Sequence, residues 1–180
     1  MEPPVRLVSS RWIHQGRISR LREDQVILRK GTPDTYEYLE IKSGSTTLAV
    51  EENLDVWLVR EWKYAIGRYS LEAVSGGMEP GEEPLASAVR ELREEAGLVA
   101  QDWTPLGVVD PFTTMLNCQN YLFLARGLSS VPQEHEEGET IEVVRMPLEQ
   151  AVAKVMSGEI THGSSAVAIL KVHAGLASNL

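Results

Sequence analysis

Short apolar segments separated by charged turns open the chain, at residues 7–14, 18–21, 26–28 and 36–41, with Gly16, Gly31 and Pro33 between them. This alternation predicts a small antiparallel sheet. It holds too few large apolar residues to stand alone, so it is expected to pack on the main domain or on a second subunit. Trp12 and His14 are read as packing residues within it rather than as contacts to a base. Residues 46–62 predict a hairpin that turns near Glu52 and Asn53. Further strands are expected at 69–74, 106–109, 121–125 and 141–145, with helices at 147–157, stopped by Gly158, and at 165–177, where His173 is read as packing beside Ile169 and Leu170.

Between these strands lies one segment of helical period. Leu85, Val89, Leu92 and Ala96 recur at intervals of three and four and predict a helix with that stripe packed inward. Pro84 suits the first turn, where its missing N–H costs nothing, and Gly97 suits the left-handed residue that ends a helix. Strands before and after a single internal helix predict a mixed sheet with helices on its faces, an α/β fold.

The same helix carries Glu91, Glu94 and Glu95 on one face. Two carboxylates about 4 Å apart repel by roughly 4 kcal/mol at an effective dielectric near 20, so the cluster needs a cause. A solvated acidic face is one reading. A hard divalent cation such as Mg2+ is the other, since it takes oxygen ligands from one or two carboxylates plus waters and phosphates.

Composition narrows the choice. A chain of 180 residues suits one domain with a small appendage. Its net charge of −9, without any Lys/Arg cluster, argues against nucleic acid as a partner but leaves room for a nucleotide-sized anion held by local cations and a metal. Cys118 is the only cysteine, which points to a reducing, cytoplasmic setting, and it is read as a small buried residue rather than a nucleophile. The first residues lack an apolar signal core and no apolar run approaches about 18 residues, so no membrane association is expected.

Spacing decides between the two readings of the glutamates. The order G-x5-E-x7-R-E-U-x-E-E-x-G-U, with U a bulky aliphatic residue, is met by Gly76, Glu82, Arg90, Glu91, Leu92, Glu94, Glu95, Gly97 and Leu98. Ordinary residue frequencies would produce it on the order of once in a billion starting positions. Gly76, Gly77 and Gly81 are expected to let the backbone turn tightly and approach a ligand, while Glu82 and Arg90, two helical turns apart, are expected to brace loop and helix as an ion pair. This pattern resembles the Nudix hydrolase signature. The stretches L-V-R-E-W-K-Y-A-I-G-R-Y-S-L-E, N-Y-L-F-L-A-R-G-L and E-T-I-E-V-V-R-M-P-L-E-Q-A are similar to the ADP-ribose pyrophosphatase branch of that family.

The resemblance implies a Nudix α/β/α sandwich with a mixed central sheet in residues 45–180, the box at 76–98, and an N-terminal β-rich subdomain in residues 1–44 that is exchanged in a homodimer. It implies Mg2+-dependent hydrolysis, with Mn2+ as a substitute, of a nucleoside diphosphate linked to another group: ADP-ribose, giving AMP and ribose 5-phosphate, or a nucleoside diphosphate sugar. By position, Glu91 and Glu95 become metal ligands together with the Ser75 carbonyl, and Glu94 a ligand or its neighbour, with Arg90 in support. On the late loop, Glu139 is aligned as a further ligand and Glu137 as the base for the attacking water. Lys63 and Arg60 match phosphate-binding positions, and Gly76 and Gly77 line the substrate.

Residues 110–120, D-P-F-T-T-M-L-N-C-Q-N, depart from the pattern usual in ADP-ribose-specific members. Other substrates stay open on that account: GDP-mannose, a dinucleoside polyphosphate, NADH or a damaged nucleotide. A Nudix-fold sensor that binds a nucleotide without cleaving it is the alternative from a different class.

Overall fold

A computed structural model describes residues 3–133 and 140–177. Along the chain run β1 (Val5–Gln15), β2 (Ser19–Leu28), β3 (Pro33–Ile41), β4 (Gly44–Val50), β5 (Asp55–Lys63), a single 3-10 turn (Tyr64–Ile66), β6 (Arg68–Glu72) and β7 (Val74–Gly77). They are followed by α1 (Pro84–Ala96), β8 (Leu98–Val109), β9 (Leu116–Asn117), β10 (Asn120–Ser130), β11 (Ile141–Pro147), α2 (Leu148–Met156) and α3 (Gly163–Ala177). Two compact units result. One combines the residues up to Lys42 with Asp110–Gln119; the other takes Ser43–Val109 and the residues from Asn120 onward.

The first unit is a four-stranded sheet in the order β1-β2-β3-β9, antiparallel except for the short parallel pair of β3 with β9. The segments at 18–21 and 26–28, which the apolar pattern separates, fall in one strand except for Ile18, which precedes it. The polar interval between them is held by cross-strand pairing and by ion pairs, Arg11 with Glu23 at 2.6 Å and Arg22 with Asp24 at 2.8 Å. Trp12 is stacked within its own sheet, with the Arg20 and Arg22 guanidinium carbons 4.9 and 5.8 Å from its ring centroid. Val26 is buried, whereas Leu7, Val8, Ile13, Ile18 and Tyr36 are exposed. Cys118 is half-buried, with its thiol 3.3 Å from the Lys42 carbonyl.

The second unit is built on a sheet in the order β11-β5-β4-β10-β8, with β6 added to β5 and β7 to β4. β4 and β10 run parallel and the other pairs antiparallel, which makes the sheet mixed. Successive residues of a strand point to opposite faces, and here both faces are apolar. Ala49, Val59, Val74 and Ala125 pack against Leu92 and Ala96 of α1. Their neighbours Leu48, Leu58, Ala73 and Leu124 pack against Leu148 and Ala151 of α2 and Ala168 and Ile169 of α3. That arrangement is an α/β/α sandwich. No helix among the described residues is long and apolar enough to cross a membrane.

Several expectations need correction. β8 and β10 are longer than the apolar runs at 106–109 and 121–125, because polar residues such as Asp102 and Arg126 are carried into the ladder by pairing with each other's strand. His173 does not pack on the core: its Nε2 lies 3.2 Å from Glu149 Oε1 at the surface. Leu85 and Val89 of α1 do not pack inward either, being 43% and 42% exposed. The helix is rotated toward its acidic side, and its buried residues are Ser87, Ala88, Glu91, Leu92, Glu95 and Ala96.

Candidate active site

That rotation builds the site. Helix α1 starts where the pattern expects it, with Pro84 at the first helical position, and ends at Gly97, whose φ of 62° lets its N–H return to the Leu92 and Arg93 carbonyls. With Leu92 fixed in the core, Glu91 and Glu95 are turned beneath the helix onto β7, each only 9% exposed.

β7 accommodates them through its glycine. Gly76 is not in a turn: it pairs with Ser45 of β4, and Gly77 pairs with Gly44. The tight turn lies further on, at Gly81, with φ 80°. Gly76 is needed for close approach, since a Cβ there would stand 1.9 Å from Glu91 Cδ. One residue earlier, the Ser75 N–H donates to Glu95 Oε2 at 3.1 Å.

Arg90 ties loop, helix and strand together. Its Nε and Nη2 donate to the two oxygens of Glu82, both at 3.0 Å, its Nη1 to Glu91 Oε1 at 2.7 Å and Glu94 Oε2 at 2.9 Å, and its Nη2 also to the Gly77 carbonyl at 3.1 Å. These bonds, led by those to Glu82, raise its pKa further, so it is a permanent cation. Glu82 Oε2 also accepts the Glu79 N–H at 2.8 Å, so the loop before α1 is closed on the same fork. Glu94 is thus held through Arg90, while Glu91 is shared between Arg90 and the β7 backbone.

The electrostatics fit a cation. Burial pushes the Glu95 carboxyl up to about 8; the Ser75 N–H and the Lys63 charge oppose this, and the charges of Glu91 and Glu61 add to it. A divalent ion would relieve both the burial and the repulsion. Among the described residues no group of three or more His, Cys, Asp or Glu side chains could hold a metal alone. Two buried carboxylates beside the β7 backbone suit a hard divalent cation, which takes oxygen ligands and completes its shell with waters and substrate phosphates.

Lys63 reaches this neighbourhood from β5. Burial lowers its pKa, but the bond to Glu61 and the charges of Glu72 and Glu95 outweigh that and raise it above the ordinary lysine value. Arg60 does not share the position. It pairs with Leu71 of β6 and Glu142 of β11, its Nη1 is 3.5 Å from Glu142 Oε2, and it lies on the α2–α3 face of the sheet. Glu137 and Glu139 lie outside the described residues.

The sequence reading passed over a buried polar group at the start of α3. His162 Nδ1 is 2.7 Å from Ser165 Oγ and 3.3 Å from Glu72 Oε2, and Ser165 Oγ accepts the Ala73 N–H at 2.9 Å. Burial lowers the His162 pKa, opposed by Glu72 and reinforced by Lys63. No spacing rule links Glu72 to a histidine ninety residues later.

Known proteins resemble the chain in sequence and in fold. Residues 43–163 match the NUDIX domain model, and residues 5–39 match the nucleoside diphosphate sugar hydrolase N-terminal domain. The chain is 32% identical over 170 residues to the ADP-ribose pyrophosphatase of Mycobacterium tuberculosis, covering 93% of this chain and 82% of that protein. It is 29% identical over 164 residues to the ADP-ribose pyrophosphatase of Bacillus subtilis, covering 90% and 89%. A crystal structure of an ADP compounds hydrolase has the same fold, with a TM-score of 0.86 at 21% identity over 98% of this chain and 96% of that one. With the box assembled on α1 and β7 and the domain match spanning most of the chain, this protein belongs to the Nudix family of hydrolases.

Proposed function

We propose that the chain hydrolyses the diphosphate linkage of a nucleoside diphosphate joined to a sugar, with ADP-ribose as the leading substrate and AMP and ribose 5-phosphate as products. The observation that carries this reading is the pair of buried carboxylates, Glu91 and Glu95, turned onto the β7 backbone at Ser75 and Gly76. The names of the two pyrophosphatase relatives, and the nucleoside diphosphate sugar hydrolase match in the first unit, support the substrate class.

Nudix hydrolases use divalent cations, and Mg2+, with Mn2+ as a substitute, is the ion proposed here. Glu91 and Glu95 would hold it with the Ser75 carbonyl, with Glu94 as a further ligand or neighbour. Bound there, it supplies charge neutralisation for the diphosphate and a more acidic water. The chain's own part is to orient. Arg90 fixes the Glu91 and Glu94 carboxylates, and Lys63 offers the ammonium proposed for a phosphate oxygen. Glu139 as a ligand and Glu137 as the base complete the proposal on family alignment.

The assembly proposed is a homodimer in the cytoplasm, with the first unit in its interface. Exposed Leu7, Val8, Ile13 and Ile18 in that unit support this, because a sheet that buries little of its own apolar surface gains by covering it.

Product analysis over ADP-ribose, other nucleoside diphosphate sugars, GDP-mannose, a dinucleoside polyphosphate and NADH, with Mg2+ and with Mn2+, tests the proposal. The highest kcat/KM for ADP-ribose, with AMP and ribose 5-phosphate as products, supports it. A higher value for a substrate outside the sugar class overturns the substrate. ADP-ribose binding without metal-dependent product from any compound overturns catalysis in favour of a sensor.

A further inference from the structure

On the face of the sheet away from Glu91 and Glu95, the β8–β10 pair contains a bulge. Leu122 pairs with Gly107 and Phe123 with Pro105, so Leu106 is the extra residue. Gly107 takes a φ of 111° to make the step. Freed from the ladder, the Leu106 carbonyl accepts a hydrogen bond from Lys171 Nζ of α3. The bulge opens a cavity of about 290 Å³ between α3 and the two strands.

Its walls are of two kinds. Leu106, Leu124, Val172 and Leu176 are apolar and belong to the α2–α3 side of the core. Arg126 and Lys171 are cationic, and Thr104 adds a hydroxyl. Gly175, one helical turn after Lys171, also lines the cavity. Lys171 uses one of its three donors on Leu106. Asp102 is the cross-strand neighbour of Arg126, and Arg126 lines the cavity from β10. Two cations lining an apolar cavity stand out in a chain of net charge −9.

We infer that this cavity binds a small amphipathic monoanion, a carboxylate with an unbranched apolar tail, its head between Arg126 and Lys171 and its tail against Leu106, Leu124 and Leu176. An apolar cavity of about 150 Å³ holds benzene, so one roughly twice that size suits about ten to twelve heavy atoms. Neither the box nor the diphosphate reaction involves these residues, and the inference does not depend on the substrate proposed above.

Calorimetric titration with octanoate, with 1-octanol and acetate as controls for tail and head alone, tests it. Wild-type protein is expected to bind octanoate saturably, at least tenfold more tightly than either control. Arg126→Gln with Lys171→Gln should weaken octanoate at least tenfold and bring it to the level of octanol. Gly175→Leu should fill the cavity and abolish binding while the variant still melts cooperatively and turns over substrate as the wild type does. No saturable octanoate binding by the wild type, or binding unchanged in both variants, overturns the site; octanol binding as tightly as octanoate overturns its selectivity for an anion.

Discussion

The Glu91 carboxylate rests directly on the backbone of Gly76, where a Cβ would lie 2.0 and 2.3 Å from its two oxygens. Neither partner can yield cheaply: Gly76 is paired with Ser45 in the sheet, and Glu91 is on a helix whose next residue, Leu92, is fully buried. Gly76→Ala should therefore displace Glu91 and lower kcat by about a hundredfold, as ångström-scale misplacement does in other active sites. Steady-state kinetics beside a thermal melt will check this. An unchanged kcat in a folded variant would remove the close approach from the account.

Arg90 joins four acceptor groups through a planar fork that a lysine cannot reproduce. Arg90→Lys should lose about 1–3 kcal/mol of stability, since it leaves partly buried carboxylates incompletely paired. In a double-mutant cycle, Arg90→Ala and Glu82→Ala should couple by about 0.5–3 kcal/mol in chemical denaturation. Strict additivity would reduce the pair to a chance proximity of side chains.

Glu95 gives the pH dependence its sign. Its folded pKa of about 8 lies above the ordinary value of 4.5, so the folded chain holds this proton more tightly than the unfolded one. In EDTA, the stability of the wild type relative to Glu95→Gln should be greatest below pH 4.5 and decline as pH rises toward 8. Saturating Mg2+ should flatten that decline by favouring the ionised carboxylate. Thermal melts of both proteins across this range would refute the assignment by running parallel in EDTA.

Two glycines with the same φ sign should respond differently. Gly81 has φ 80° and open space around it, so Gly81→Ala carries only the left-handed strain, about 1 kcal/mol. At Gly97, with φ 62°, a Cβ would also meet the Val131 carbonyl oxygen at 2.8 Å and Gln133 Cγ at 2.7 Å. Gly97→Ala should cost about 2–4 kcal/mol, and Gly97→Asn should not rescue it, because the Val131 carbonyl and Gln133 obstruct any Cβ there whatever the φ preference. Denaturation midpoints of the three variants decide this, and equal losses at 81 and 97 would contradict it.

What could be read in advance follows from where the information lies. The box is local: Pro84, Gly97 and the pairing of Glu82 with Arg90 are set by spacing along one helix and its loop, and all are found where spacing puts them. Helix rotation is different, since Leu85, Val89, Leu92 and Ala96 make a sound apolar stripe by themselves. Only the sheet shows that Ser87, Glu91 and Glu95 are buried in preference to Leu85 and Val89, with Ser87 Oγ 3.1 Å from Ser45 Oγ across the interface. The polar ends of β8 and β10 are strands because each supplies the other's ladder, which composition cannot express. His162 and Ser165 are local neighbours at the start of α3, but Glu72 is brought to them by the fold alone.

The central claim is that Glu91 and Glu95 together support metal-dependent cleavage of a diphosphate. Its most direct test is the Mg2+-dependent release of AMP from ADP-ribose by the wild type, Glu91→Gln and Glu95→Gln, with circular dichroism to verify the fold. Loss of several kcal/mol of transition-state stabilisation corresponds to a fall of about a thousandfold in kcat for each variant. Wild-type rates from both folded variants would contradict the claim.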